Sequence, residues 1–151
     1  MIRKSKLYSN PQKPFEKSRI DEENVLLKNY ALKNKKEVWK TLAKVNYYRK
    51  RAMALASSPE QQEVFFNKLK NLGLDINSTT EVLDLKVEDL LKRRLPTIVA
   101  DKGLANTVKQ ARQMVVHKKI LISNSVVNTP SYIVPVAEEG KISIKEKKKI
   151  A

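Results

Sequence analysis

The 151-residue chain has no cysteine, which excludes disulfides, thiolate metal sites and thiol nucleophiles. His117 is its one histidine, too little for a metal cluster, so neither a metal nor another cofactor is expected. Only 3 glycines occur, and none opens a phosphate-cradling loop or a dinucleotide fingerprint. No apolar run approaches the roughly 20 residues that cross a bilayer. The opening MIRKSKLYSNPQKPF lacks the apolar centre of a secretory signal, so the chain reads as cytoplasmic with no membrane partner. Acids are also scarce: 16 Asp and Glu face 31 Lys and Arg, a net charge of +15. A field of that sign and size recruits polyanions.

The charge is uneven. Residues 1–20 carry +5, residues 21–27 carry −3, and residues 28–56 carry +8 with a single acid. Residues 57–91 carry −4, and residues 92–119 return to +7 with Asp101 as their one acid. Two basic blocks therefore flank an acidic spacer, and each predicts an RNA-facing surface.

Periodicity and capping signals predict an α+β protein, mainly α. Residues 1–20, with six cations, two prolines and few apolar anchors, read as an extended basic tail. Residues 21–92 read as a helical subdomain. Asp21, Glu22 and Glu23 suit a helix start, and Val38, Leu42, Val45, Ala52 and Leu55 set the apolar stripe of a long helix from Asn34 to Ala56. Ser58, Pro59 and Gln61 spell a capping box for a third helix that Gly73 ends, Ser78 with Glu81 a second box, and Val87 to Arg94 a further helix. Residues 93–144 read as a small helix-plus-twisted-β module. Pro96 marks a new helix start, Gly103 a stop, and Thr107 with Gln110 a third box. Short β-type runs follow at Ile120–Ile122, Val126–Val127, Ile133–Val134 and Ile142–Ile144. Residues 145–151 read as a basic tail.

Within 27 positions, Arg93, Arg94, Lys102, Lys109, Arg112, Lys118 and Lys119 meet only one acid. Each alone suits a solvated face, but together they favour phosphate contacts, because surface charges normally alternate in sign. Thr107, Gln110, Asn128 and Ser131 are cap and turn residues that also suit ribose and phosphate. His117 sits at a helix end, and Tyr132 is equally suited to stacking on a base or capping the core. In the first block Lys35, Lys36, Lys40, Tyr47, Tyr48, Arg49, Lys50 and Arg51 mix cations with aromatics, a pattern for stacking plus neutralisation, with one of the two tyrosines read as core. The acids form no matched acid–base or nucleophile set, so no catalysis and no small-molecule substrate are expected.

The stretch Arg93–Tyr132 resembles the small RNA-binding module named after the fourth small-subunit ribosomal protein. With LKNKKEVWK at Leu32–Lys40, YYRKRA at Tyr47–Ala52, VEDLLKRRL at Val87–Leu95, KGLANTVKQARQMVVH at Lys102–His117 and VVNTPSYIVPV at Val126–Val136, the resemblance extends to the archaeal and eukaryotic branch of that ribosomal family. It implies a structural constituent of the small ribosomal subunit that clamps a helical junction in the 5′ domain of its rRNA and nucleates assembly. It also implies neighbouring ribosomal proteins near the channel by which mRNA enters. By the same resemblance the module's RNA face comprises Arg93, Arg94, Lys102, Thr107, Lys109, Gln110, Arg112, His117, Lys118, Asn128, Ser131 and Tyr132. Asn106 departs from a usual arginine, Pro96 from a polar helix-start residue, and Ser123–Asn124–Ser125 from a usual Val-Asn-Gly turn. The alternatives are an RNA-modifying enzyme or a free RNA-binding stress factor sharing the module.

Overall fold

The computed structural model describes residues 6–145. The expected tails fall partly outside that range, at residues 1–5 and 146–151. Helix α1 spans Lys17–Asn29, opening before Asp21 and within the stretch expected to be tail. Arg19 fixes that start by donating to the carbonyls of Lys13 and Pro14 at 2.9 and 3.0 Å. The acids at 21–23 are therefore not first-turn charges, and Glu23 is buried inside the helix's packed face.

Helix α2, Lys35–Ala54, is the long helix the periodicity predicts, and its buried Val38, Val45 and Ala52 recur every seven residues along one stripe. Helix α3, Pro59–Asn71, has proline in its first turn, where a missing amide costs nothing. The capping box expected there does not form, because Ser58 makes no side-chain cap. Gly73, at φ +79°, takes the left-handed conformation that reverses the chain after α3. Helix α4, Thr79–Asp84, is capped by Ser78, whose hydroxyl accepts from the Glu81 amide at 3.4 Å. The Glu81 carboxylate reaches back one residue past the cap, accepting from the Asn77 amide at 2.6 Å. In α5, Val87–Lys92, the Asp89 carboxylate accepts from the Lys86 amide at 2.9 Å.

The module begins where α5 stops. Helix α6, Leu95–Asp101, carries Pro96 in its first turn, and α7, Val108–Val116, is capped by Thr107, which accepts from the Gln110 amide at 3.2 Å. Strands β1 (Ile120–Ile122), β2 (Ser125–Val126) and β3 (Ile142–Ile144) form an antiparallel sheet in the order β2-β1-β3. A one-turn helix, α8 (Val136–Glu139), precedes β3. The β1–β2 turn is made by Ser123 and Asn124 at φ +48° and +67°, two left-handed residues in succession, so the tight hairpin survives without the glycine usual there.

Ile133–Val134 does not become a strand of this sheet. It forms an isolated bridge with Arg94, reinforced by bonds from Leu95 N to Tyr132 O at 2.9 Å and from Val134 N to Arg93 O at 3.0 Å. Extended backbone sends consecutive side chains to opposite faces. Val134 accordingly enters the module core with Leu95, Val99, Ala111, Val115 and Ile120. Ile133 packs on the helical core of Val45, Ala52, Phe65, Leu69, Val82 and Leu90. One dipeptide thus ties the two cores together.

Candidate nucleic-acid interface

The carboxylate of Glu37, the single acid of the first basic block, joins the two parts of the molecule. It stands on the first turn of α2 and accepts from Arg94 Nη2 at 2.8 Å. Arg112 of α7 meets it with two nitrogens, Nη2 on Oε1 at 2.7 Å and Nη1 on Oε2 at 3.1 Å. Arg94 is 6% exposed and spends its Nε on the Pro130 carbonyl at 3.2 Å. Burial pushes the Glu37 carboxyl up, but hydrogen bonds and charge from the two guanidinia outweigh it and hold the group below its ordinary range. Burial lowers Arg94 despite its carboxylate partner, and a guanidinium remains charged regardless.

Arg93 faces the other way. It donates to the Val134 carbonyl at 3.0 Å, pairs with Glu139 at 2.9 Å, and lies against Gly73, where an added Cβ would meet its Cζ at 2.5 Å. Lys102 donates to the Glu139 backbone carbonyl. Arg49 donates to the Leu85 carbonyl at 2.8 Å, tying α2 to the loop before α5. Tyr132 donates to Glu138 at 2.6 Å, a bond that raises its phenol with help from burial. These side chains of the anticipated RNA face are engaged by the protein itself.

Others face solvent. Lys36, Lys40, Lys50, Lys109, Lys118, His117 and Asn128 are exposed, as are Thr107 and Gln110 at their cap. Arg51 is exposed, lying 5.9 Å over the Phe65 ring with Nη1 3.3 Å from the Tyr47 hydroxyl. Lys35 approaches Glu23 at 3.4 Å, a charge contact beside the hydrogen bonds that Glu23 accepts from Trp39 Nε1 at 2.8 Å and Arg19 at 2.7 Å. Burial raises the Glu23 carboxyl, while those three donors together bring it below its ordinary range. Tyr48 is half-buried, 6.3 Å from the Phe65 ring. Lys40, Tyr48, Arg94 and Ser131 come together as parts of one groove of about 640 Å³ between α2 and the 130–133 segment.

The S4 domain matches residues 93–139. A small ribosomal subunit protein uS4 from Nanoarchaeum equitans is 41% identical, the match covering 94% of this chain and 84% of the relative. The uS4 protein of Methanothermobacter thermautotrophicus is 44% identical over 91% of this chain and 84% of its own length. This chain belongs to the uS4 family. The uS4 protein of Natronomonas pharaonis, 38% identical, is covered to 90% of its length, so the kinship embraces the helical half as well as the S4 domain.

Sequence reading of this uS4-family chain missed Glu37, Glu23 and Lys44. A signal for Glu37 was present: a lone acid among nine cations in residues 28–56 is placed where several of those charges, or others from afar, need an anion. Tyr47 and Lys44 share a helical stripe with Lys40 and Tyr48, at the offsets of one and two turns.

Proposed function

We propose that this protein is a non-enzymatic structural constituent of the small ribosomal subunit, held there by its rRNA. The observation that carries this reading is the kinship with uS4 proteins over more than nine-tenths of this chain, which runs through both basic blocks. The exposed cations of α2 and of the α7 region, Lys36, Lys40, Lys50, Lys109 and Lys118, supply phosphate contacts from two sides of the molecule. Arg93, Arg94, Arg112 and Tyr132 shape that surface from within, Lys102 is exposed on it, and Thr107, Gln110, His117, Asn128 and Ser131 line it with hydrogen-bonding groups. The RNA so gripped is a helical junction in the 5′ domain of the small-subunit rRNA, bound early in assembly. Neighbouring ribosomal proteins around the mRNA channel complete the setting, in the cytoplasm.

The rival readings, an RNA-modifying enzyme or a free RNA-binding factor, lack a corresponding support: the relatives align across residues that an enzyme would devote to a catalytic domain. The test is sedimentation of a native lysate through a sucrose gradient after a high-salt wash. Stoichiometric retention on the small subunit is expected. Release by the wash, or migration with free RNA, would reject the reading.

A further inference from the structure

The geometry points to a site for one unstacked nucleotide of the bound RNA in the groove between α2 and the 130–133 segment, a refinement that rests on the rRNA reading above. Its volume of about 640 Å³ falls within the range of small-ligand sites, roughly 300–1,000 Å³. One wall is a single stripe of α2: Lys40, Ala43, Lys44, Tyr47 and Tyr48, at offsets of three, four, seven and eight residues. The other wall is Leu90, Pro130 and Ile133, and Ser131 and Leu7 of the N-terminal segment also line the groove. A flat apolar object with hydrogen-bonding edges fits between such walls.

Charge selects the class of that object. Lys40 and Lys44 are both exposed, lie one helical turn apart on the rim, and make no ion pair among the described residues. Glu37, the only acid lining the groove among the described residues, is already shared between two guanidinia, one of which, Arg94, lines the groove as well. The field over the groove is therefore positive. Tyr47 keeps 55% of its surface exposed and sits 5.9 Å from Tyr48, with the two rings tilted by 58°. An exposed ring beside two unpaired cations suits a base stacked on the tyrosine with its flanking phosphates on the lysines. An extended peptide finds less here, because a helical wall has its backbone groups bonded internally and offers no strand edge.

The experiment uses the full chain and a small-subunit rRNA fragment carrying 4-thiouridine at unpaired positions. Irradiation is expected to attach the RNA to a peptide containing Tyr47 or Tyr48, read by mass spectrometry. Tyr47→Leu, at an exposed position, is expected to weaken binding about tenfold with an unchanged salt slope, because it removes stacking and no charge. Lys40→Gln with Lys44→Gln should instead flatten the slope by about 0.7 per lost phosphate contact to a single strand. Ala43→Phe fills the groove and should abolish the crosslink; if it fails to fold, Tyr47→Leu carries the test alone. Wild-type protein that binds no rRNA fragment would overturn the ribosomal reading and this site with it. Wild-type binding that survives Tyr47→Leu unchanged, or crosslinks confined to other surfaces, would overturn the site alone, as would a protein segment captured in the groove in place of RNA.

Discussion

Arg112 lays two nitrogens against the carboxylate of Glu37, at 2.7 and 3.1 Å, across 75 residues of chain. The same carboxylate holds the buried Arg94, so removing it strands two guanidinia in a half-buried joint. Breaking such a pair from one side costs about 3–5 kcal/mol when fully buried. Since the Glu37 side chain is 20% exposed, Glu37→Gln is expected to cost about 2–3 kcal/mol. Urea unfolding measures it, and a loss below about 0.5 kcal/mol would mean the arginines find water as good a partner.

Acid should undo the same joint. Glu37 and Glu23 both have folded-state pKa values depressed below the ordinary glutamate value. A depressed carboxylate contributes stability that is full above the unfolded-state pKa, about 4.3, and is lost as pH falls through the lower folded-state value. Urea midpoints should therefore hold from pH 7 to about 5 and fall steeply below 4.3. Glu37→Gln should show a shallower fall over that range, and parallel curves would refute its part. Trp39, the only tryptophan and a direct partner of Glu23, gives a fluorescence reading local to the second carboxylate.

Gly73→Ala meets two penalties at once. The residue would sit at φ +79°, and its Cβ would fall 2.5 Å from the Arg93 guanidinium carbon. A loss above about 1 kcal/mol is expected. Gly103 has a similar φ of +72° but nothing within 4 Å of an added Cβ, so Gly103→Ala isolates the backbone term. Equal thermal shifts in the two variants would show that the Arg93 contact contributes nothing.

The exposed lysines should act on RNA and leave the fold alone. Replacing Lys109, Lys118 and Lys119 by Gln is expected to leave the melting temperature within a degree or two, since exposed charges contribute little to folding. If each touches a duplex phosphate, the slope of log affinity against log salt should flatten by about 0.9 per lysine. A slope identical to wild type in filter binding would move the RNA to another face.

The elements themselves were legible because they are written in local signals: Thr107 and Ser78 cap as their hydroxyls dictate, Pro96 opens a helix, and Gly73 and Gly103 end theirs. Boundaries failed where a distant partner decided. Asp21 to Glu23 look like a helix start, yet Arg19 pulls the start earlier and Glu23 is claimed by Trp39, sixteen residues away. The candidate site was legible as composition, two blocks of cations, but not as a division of labour. Arg94 and Lys118 are equivalent letters in a charge count. Only the folded chain brings Glu37 to the first and leaves the second in water.

Consecutive arginines at 93 and 94 point in opposite directions, one against Gly73 and Glu139, the other against Glu37 and Pro130. The crossing between the helical half and the module is thus riveted on both sides, and a rotation about it would break contacts whichever way it turned. Such a joint behaves as a gauge of fixed width. Whatever flexible polyanion meets its two cationic faces must surrender its own disorder to match their spacing, so the entropy of fitting is lost by the partner and not by the protein.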